Sequence, residues 1–590
     1  MKRLSSTAFV FGVVFACGDG RDGFDPNDRA SFDDIDGGAT PSTSCEGAVR
    51  CSRDLHAVVD ACDDTRVITE CAPDQGCANG TCVPACAAAV GANGSTGCEF
   101  VALPPPHFYY TAGSCFAAFV ANTWGAPARI EGDYGGEPID VTGAVRKVRT
   151  EGANVSYESF DGEIQPGEVA VVFLSHQPES AGALPCPVGV TPAVRFDTAL
   201  AGTSRGRTFR IRTTAPVSAY SIYPFGGAEA AVSSATLLLP LSSWKTDYVV
   251  TNPWKFQVGR DDLGQVIHEY FPTTQIVAAQ DDTTVTVIGS AAIAAGVDVE
   301  GAAAGAPKTY RLQRGEQLHF AQDAELTGTR IGADKPIGVW SGHTCMKVPA
   351  DCCCDAAQME LFPLKAWGRH YAVVPYISRA SDEIPEQYMY RITGAVEGTV
   401  LTYEPSRPKN APVTVRAGES VTFDSTTPFV VKSQDADHPF AVFAYMTGFQ
   451  YAQAQLRDGD PEFTTIIPTE QYLGRYVFFV DPSYANSQLV VVRSRDEKNE
   501  LQPVVLDCAG PLEGWTPIGD SGQHEYVRIR MTKNGVPQPI GTGTCSAGRH
   551  EIDSRGQFAV TVWGTNRASS YAYPGGAALR TINDVDNIVW

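Results

Sequence analysis

From about residue 100 onward, apolar and polar residues alternate in short runs separated by Gly, Asp, Asn and Pro, the period-two pattern of half-buried strands joined by turns. The pattern recurs in four copies. A late strand introduced by proline or a polar turn appears as APVSAYSIYP (Ala215–Pro224), KPIGVWSG (Lys335–Gly342), HPFAVFAYMTG (His438–Gly448) and GQFAVTVWG (Gly556–Gly564). Its valines, Val217, Val339, Val442 and Val560, lie 122, 103 and 118 residues apart, a domain-sized period. A Gly-Glu turn enters an earlier strand at Gly167-Glu168, Gly315-Glu316 and Gly418-Glu419, with Gly548 in an altered fourth copy. Pro240, Pro363 and Pro468 each lead into a strand carrying Tyr248, Tyr371 or Tyr476. A fourth marker is an Asp/Glu-rich turn before a Thr/Val strand, in Ala278–Gly289 and Gly394–Pro405.

These markers predict an all-β chain of tandem antiparallel β-sandwich-like repeats at residues 100–225, 226–345, 346–448 and 449–590, because units of this size and strand count suit two sheets packed face to face. A β-propeller with two blades per unit fits the same period, and periodicity does not separate the two.

Residues 1–17, MKRLSSTAFVFGVVFAC, read as an export signal: a basic start at Lys2 and Arg3, an apolar run from Ala8 to Phe15, then Ala16 and Cys17. The ending resembles a bacterial lipoprotein signal, which makes Cys17 the lipidated first residue of the mature chain. Residues 18–44 are rich in Asp, Gly and Ser, with almost nothing to bury, and read as a flexible acidic linker. Their aspartates do not follow the spacing of a calcium-binding helix-loop-helix loop.

Setting Cys17 aside leaves sixteen of the seventeen cysteines, an even number that fits disulfide pairing in an oxidising compartment. Eight fall between Cys45 and Cys98, in a segment (45–98) too poor in large apolar residues to be held by burial alone, so a small disulfide-rich module is predicted ahead of the repeats. Cys115 with Cys186 and Cys508 with Cys545 are the simplest pairings elsewhere, each inside one repeat. Cys345 faces a run of three, Cys352, Cys353 and Cys354, of which one can pair with it easily.

The formal net charge of −22 disfavours nucleic acid, since affinity for phosphate backbones comes from Lys and Arg. Gly202-Thr203-Ser204-Arg205-Gly206 has the form of a hydrolase nucleophile elbow, but its flanks read as a loop before an antiparallel strand. His343 sits in a turn beside a cysteine, where a structural hydrogen bond is the ordinary role, and Asp281-Asp282 read as turn formers. No cofactor motif or metal-ligand spacing is present. Trp124, Trp254, Trp340, Trp367, Tyr388, Tyr390 and Tyr445 could form a ligand platform, though repeated strand positions favour packing.

LPLSSWKTDYVV (Leu239–Val250), IVAAQDDTTVTVIG, YRLQRGEQLHFA and above all Leu326–Pro349, continuing through Cys354–Tyr376, resemble the N-terminal domain family of the IgG Fc-binding protein. The likeness is strongest from about 235 to 450. The segment ending GCEF (Gly97–Phe100) is similar to the leader found before this domain in bacterial lipoproteins. The resemblance implies that Cys345 pairs with Cys354, with the extra Cys352 and Cys353 a departure from the pattern. It also implies a binding or adhesion function. The chain is therefore expected to be a non-catalytic surface lipoprotein that recognises a protein or glycan. It is expected in the cell envelope, at the outer membrane or cell surface, and to meet the membrane only through its lipid. An extracellular polysaccharide hydrolase and a purely structural envelope protein remain the alternatives.

Overall fold

The computed structural model describes residues 47–586 apart from 64, 152–153, 181, 230–231, 350–352 and 382–383. The predicted signal, Cys17, the whole of the linker, Cys45 and Cys352 lie outside these residues. From Val49 onward the protein is an all-β assembly of antiparallel sheets preceded by a disulfide-rich region, and the sheets form no closed propeller. Among the described residues, no helix is long and apolar enough to cross a membrane.

The N-terminal module is a three-stranded sheet (Val49–Cys51, Ala57–Asp60, Val67–Glu70), a hairpin (Gln75–Ala78 with Thr81–Pro84) and an alanine-rich helix (Ala85–Ala92). Disulfides Cys51–Cys77, Cys71–Cys82 and Cys86–Cys98 cross-link it where its core is thin. It docks on Trp124, whose indole Nε1 donates to the Gln75 carbonyl at 3.1 Å. A Cβ at Gly76 would meet that indole at 2.5 Å, so the close approach requires glycine.

Three of the four repeats are organised around one long strand shared by two sets of partners. In Phe209–Tyr223, residues Phe209–Thr213 pair with Ile130–Tyr134, while Val217–Ile222 pair with Ala117–Asn122. Arg330–Met346 divides its partners in the same way, Arg330–Ala333 with Val285–Ile288 and Ile337–His343 with Pro272–Ala278. Gly548–Asn566 pairs first with Arg475–Val480 and then with Asn486–Arg493. The exchange falls at the proline of the late-strand marker, Pro216 or Pro336, and at Gly556 in the last repeat. Proline supplies no N–H to a ladder, so pairing on that side stops and the strand turns into the other layer. In the third repeat the segment Gln434–Pro439 breaks the strand outright, and Phe429–Ser433 and Phe440–Met446 lie in two separate four-stranded sheets.

The sequence markers correspond to repeated hydrogen bonds. Gly167, Gly315 and Gly418 all have φ between +71° and +77°, and in each case the following glutamate accepts a bond from the backbone N–H three residues before it, at 2.9 Å. Tyr248, Tyr371 and Tyr476 donate their hydroxyls to Ile337, Phe440 and Phe558, the carbonyls just past the bend of the long strand or its equivalent. The same hydroxyls accept from the N–H groups of Lys245, Gly368 and Leu473.

Each late strand then folds back into a return strand: Ser234–Leu238, Asp355–Glu360, Glu462–Ile466 and Ser569–Pro574. These hairpins run past residues 225, 345 and 448. The first return strand packs between the second and the fourth, and the third closes the ring. The ring surrounds a cavity of about 10 Å³, lined from all four strands by Thr236, Met359, Thr464 and Ala572 among others, room for one water molecule. One apolar core extends from Val101 to Leu579 through this centre, so the repeats share burial and do not behave as beads on a string.

Candidate binding surface

Disulfides join Cys115 to Cys186, Cys345 to Cys354 and Cys508 to Cys545. Cys62 and Cys353 are disulfide-bonded as well.

None of the sequence positions with catalytic form is arranged for chemistry. Ser204 begins a short strand paired antiparallel to Glu316–His319, and its Oγ donates to the Gly202 carbonyl at 3.3 Å. His343 is buried: Nδ1 accepts from the Cys345 N–H at 3.2 Å and Nε2 faces the Lys255 carbonyl at 3.1 Å. Burial pushes its pKa down to about 4, so it is a neutral imidazole with both nitrogens engaged. Asp281 and Asp282 bind Arg314 N–H, Arg311 and Gln313 around a turn. Asp507, Cys508 and His550 converge, but Cys508 is bonded to Cys545, and His550 spans Asp507 and the Ser546 carbonyl at 2.9 Å each. That trio has no free ligand set for a metal.

The seven aromatic residues considered as a platform are all buried. The exposed aromatic cluster lies elsewhere, at Tyr109 and Tyr110, which are 38% and 62% exposed. Their signal in the sequence is weak, because Pro104, Pro105 and Pro106 end the strand before them and period-two reasoning stops there.

The two tyrosine rings lie 4.2 Å apart, and His268 stacks on Tyr109 at 4.2 Å with planes 21° apart. Buried Phe108 supports both tyrosines from below, 4.7 Å from Tyr109 and 5.5 Å from Tyr110. Tyr270 completes the group 6.0 Å from Phe108, with Lys347 Nζ 5.1 Å from its ring centre. Beneath this lies a small apolar cluster of Phe108, Val232, Tyr270, Cys345 and Ala356, against which Cys354 packs. The Cys345–Cys354 disulfide is thus part of the support. Burial and the neighbouring Tyr110 and Tyr270 hydroxyls push the Tyr109 phenol well above its ordinary pKa.

His268 and Tyr270 belong to a two-stranded hairpin, Gln257–Arg260 with Val266–Tyr270. Its turn closes where Asp261 Oδ1 accepts from the N–H groups of Leu263 and Gln265, with Gly264 at φ +76°. Leu263, 85% exposed, and the half-exposed Val266 and Ile267 continue the apolar surface outward. The base is fixed by Gln257, whose side chain donates to the Lys347 carbonyl at 2.9 Å and accepts from its N–H at 2.8 Å. Exposed aromatic and aliphatic groups thus converge on a disulfide-backed support, the composition expected of a recognition surface.

The family description "IgGFc binding protein" matches residues 234–564, which include the hairpin, Lys347 and the Cys345–Cys354 disulfide, with Tyr109 and Tyr110 preceding it. The human IgGFc-binding protein is 27% identical over 176 residues, covering 28% of this chain and 3% of that protein. The chain thus spans only a small part of the length of this curated relative. No solved structure matches. With more than half of its length matched, Tyr248, Tyr371 and Tyr476 and the disulfides Cys345–Cys354 and Cys508–Cys545 among the matched residues, the chain belongs to the IgGFc binding protein family.

Proposed function

We propose that this protein is a non-catalytic binding protein of the cell surface, anchored through lipid on Cys17, which docks a protein partner on the Tyr109–Tyr110–His268 face and its adjoining hairpin. The observation that carries the reading is the exposed aromatic stack seated on buried Phe108 and the Cys345–Cys354 bridge. Tyrosine supplies a large contact area at little entropic cost, and an aromatic centre flanked by aliphatic groups is the composition of an interface core. The relative named for Fc binding supports a protein as the partner class. Surface residence is supported by the N-terminal signal and by the disulfides of the leader module.

The test is binding of the purified, oxidised protein to arrays of surface proteins, Fc and glycans, with hydrolysis products assayed in the same wells. Saturable binding to a protein, weakened about tenfold or more by Y109A/Y110A, is the expected result. Product release, or binding to glycans alone, overturns it. Mass spectrometry of the N-terminus of the membrane-extracted protein tests lipidation at Cys17.

A further inference from the structure

Asp355 lies at the seam between the recognition face and the ring of return strands. It opens the second return strand and pairs with Met346 on the long strand, one residue beyond the Cys345–Cys354 bridge on both sides. Its neighbours Cys354 and Ala356 both belong to the apolar cluster beneath Tyr109 and Tyr110. So does Val232, and the next residue, Ser233, turns its N–H toward Asp355 Oδ1 at 3.4 Å. The chain thus carries any shift of the Asp355 carboxyl into three residues that support the face.

The carboxyl is fully buried, and the bonding around it requires a proton. Asp355 Oδ2 accepts the Ser570 N–H at 2.9 Å and lies 3.2 Å from the Ser570 hydroxyl. That hydroxyl has one hydrogen, and the Asp460 carbonyl, 2.5 Å away, is the closer acceptor. The 3.2 Å contact is then a hydrogen bond only if Asp355 carries the hydrogen itself.

Among the described residues, the ionisable groups around Asp355 supply no counter-charge. Asp460 and Glu462, at the start of the third return strand, are buried carboxyls, and Tyr484 is a buried phenol that donates to Ser233 Oγ at 2.8 Å. On the long strand, His343 is engaged by Lys255 and Cys345. Just past that strand, Lys347 turns its ammonium to the Val258 carbonyl and the Tyr270 ring. Arg379, the cation whose charge reaches Asp460, is committed to Glu386 through three contacts of 3.0 to 3.2 Å. Burial first, then Asp460 and Glu462, hold the Asp355 carboxyl well above the ordinary aspartate range. Ionisation places an unpaired charge between carboxyl groups and breaks the bond to Ser570.

Taking the Tyr109–Tyr110–His268 face as the docking site, we propose that Asp355 is a proton-operated control of that face. With its proton the support is seated and the face binds; without it the support slackens and the partner is released. Binding is tightest on the acid side, where the carboxyl is neutral, and weakens as pH rises and the proton leaves.

The test follows amide hydrogen exchange of residues 107–115 and 257–271 in the full oxidised chain, without partner, from about pH 6 to about pH 9, where an exposed aspartate is ionised throughout. After correction for the intrinsic pH dependence of exchange, the wild type should lose protection in both segments toward the alkaline end. D355N, which has no proton to lose, should not. Affinity for Fc, and for any other array protein that binds, should fall about tenfold over the same range in the wild type and stay level in D355N. Should D355N fail to fold, S570A decides: without the acceptor of the Asp355 proton, protection should be lost at lower pH than in the wild type, and an unshifted profile overturns the proposal. Protection that ignores pH in the wild type, or an equal loss in D355N, also overturns it. Exchange that behaves as expected while no array protein binds supports the control and overturns the docking reading instead.

Discussion

The Tyr248 hydroxyl donates to the Ile337 carbonyl at 2.8 Å, joining the strand that opens the second repeat to the long strand at the point where it changes layers. Tyr371 with Phe440 and Tyr476 with Phe558 repeat the relationship. Each tyrosine replaces the backbone partner that the bend removes. Tyr248→Phe leaves the Ile337 carbonyl without its bond in a buried setting, a loss of about 1–2 kcal/mol. Urea denaturation of Y248F, Y371F and Y476F should show comparable losses at all three positions. A neutral result at all three would mean the bend is held by packing alone.

The Cys345–Cys354 bridge closes a nine-residue separation beneath the aromatic face. For so short a loop the chain-entropy model gives about 2–3 kcal/mol of stabilisation. C345A/C354A should lower stability by that order. It should also weaken partner binding at temperatures where the protein is still folded, because Phe108 and Tyr270 rest on the bridge. Stability lost with affinity unchanged would show that the face does not depend on its support.

Arg379 and Glu386 form a buried pair, and Arg379 also donates to the Thr447 carbonyl at 2.8 Å and the Asp458 carbonyl at 3.2 Å. Removing one partner strands a charge in the interior, so Glu386→Gln should cost about 3–5 kcal/mol. The double variant R379M/E386M should cost clearly less than the sum of the two single changes. A double-mutant cycle by chemical denaturation measures that coupling, and additive losses would refute it.

His370 and His524 meet Nε2 to Nε2 at 3.0 Å, across the junction of the third and fourth repeats. Ser494 Oγ lies 2.9 Å from the other nitrogen of His524. Burial first, then the neighbouring His524, Lys432 and Arg369, pushes His370 down to about 3. Burial and Lys432, opposed by Glu404, push His524 down to about 4. The unfolded chain takes up these protons near pH 6.5 while the native state refuses them. The contribution of the pair is therefore complete above about pH 6.5 and falls away as pH drops toward about 3. Urea midpoints across that range should fall more steeply for the wild type than for H370N/H524N. Parallel curves would mean that the pair does not carry acid sensitivity.

Local chemistry is legible in the amino-acid sequence alone. The turns at Gly167, Gly315 and Gly418 need a left-handed residue followed by a carboxylate that reaches back three positions, and both requirements are met within four residues of sequence. The prolines at 216 and 336 mark bends because the missing N–H is a property of the residue itself. For the same reason the alternating runs announce an all-β chain, and the cysteine-dense leader announces cross-links.

What only the tertiary structure decided depends on partners far away in the chain. Alternation marks two faces of a strand but cannot say which is covered when both are, so Trp340 and Tyr445 are told from a platform only by the packing that buries them. Tyr109 gains its meaning from His268, 159 residues later, and Asp355 from Ser570, 215 residues later. The sandwich and the propeller share a period, and the choice between them lies in how four distant return strands pack. That arrangement is set by burial summed over the whole molecule, a quantity that no local window contains.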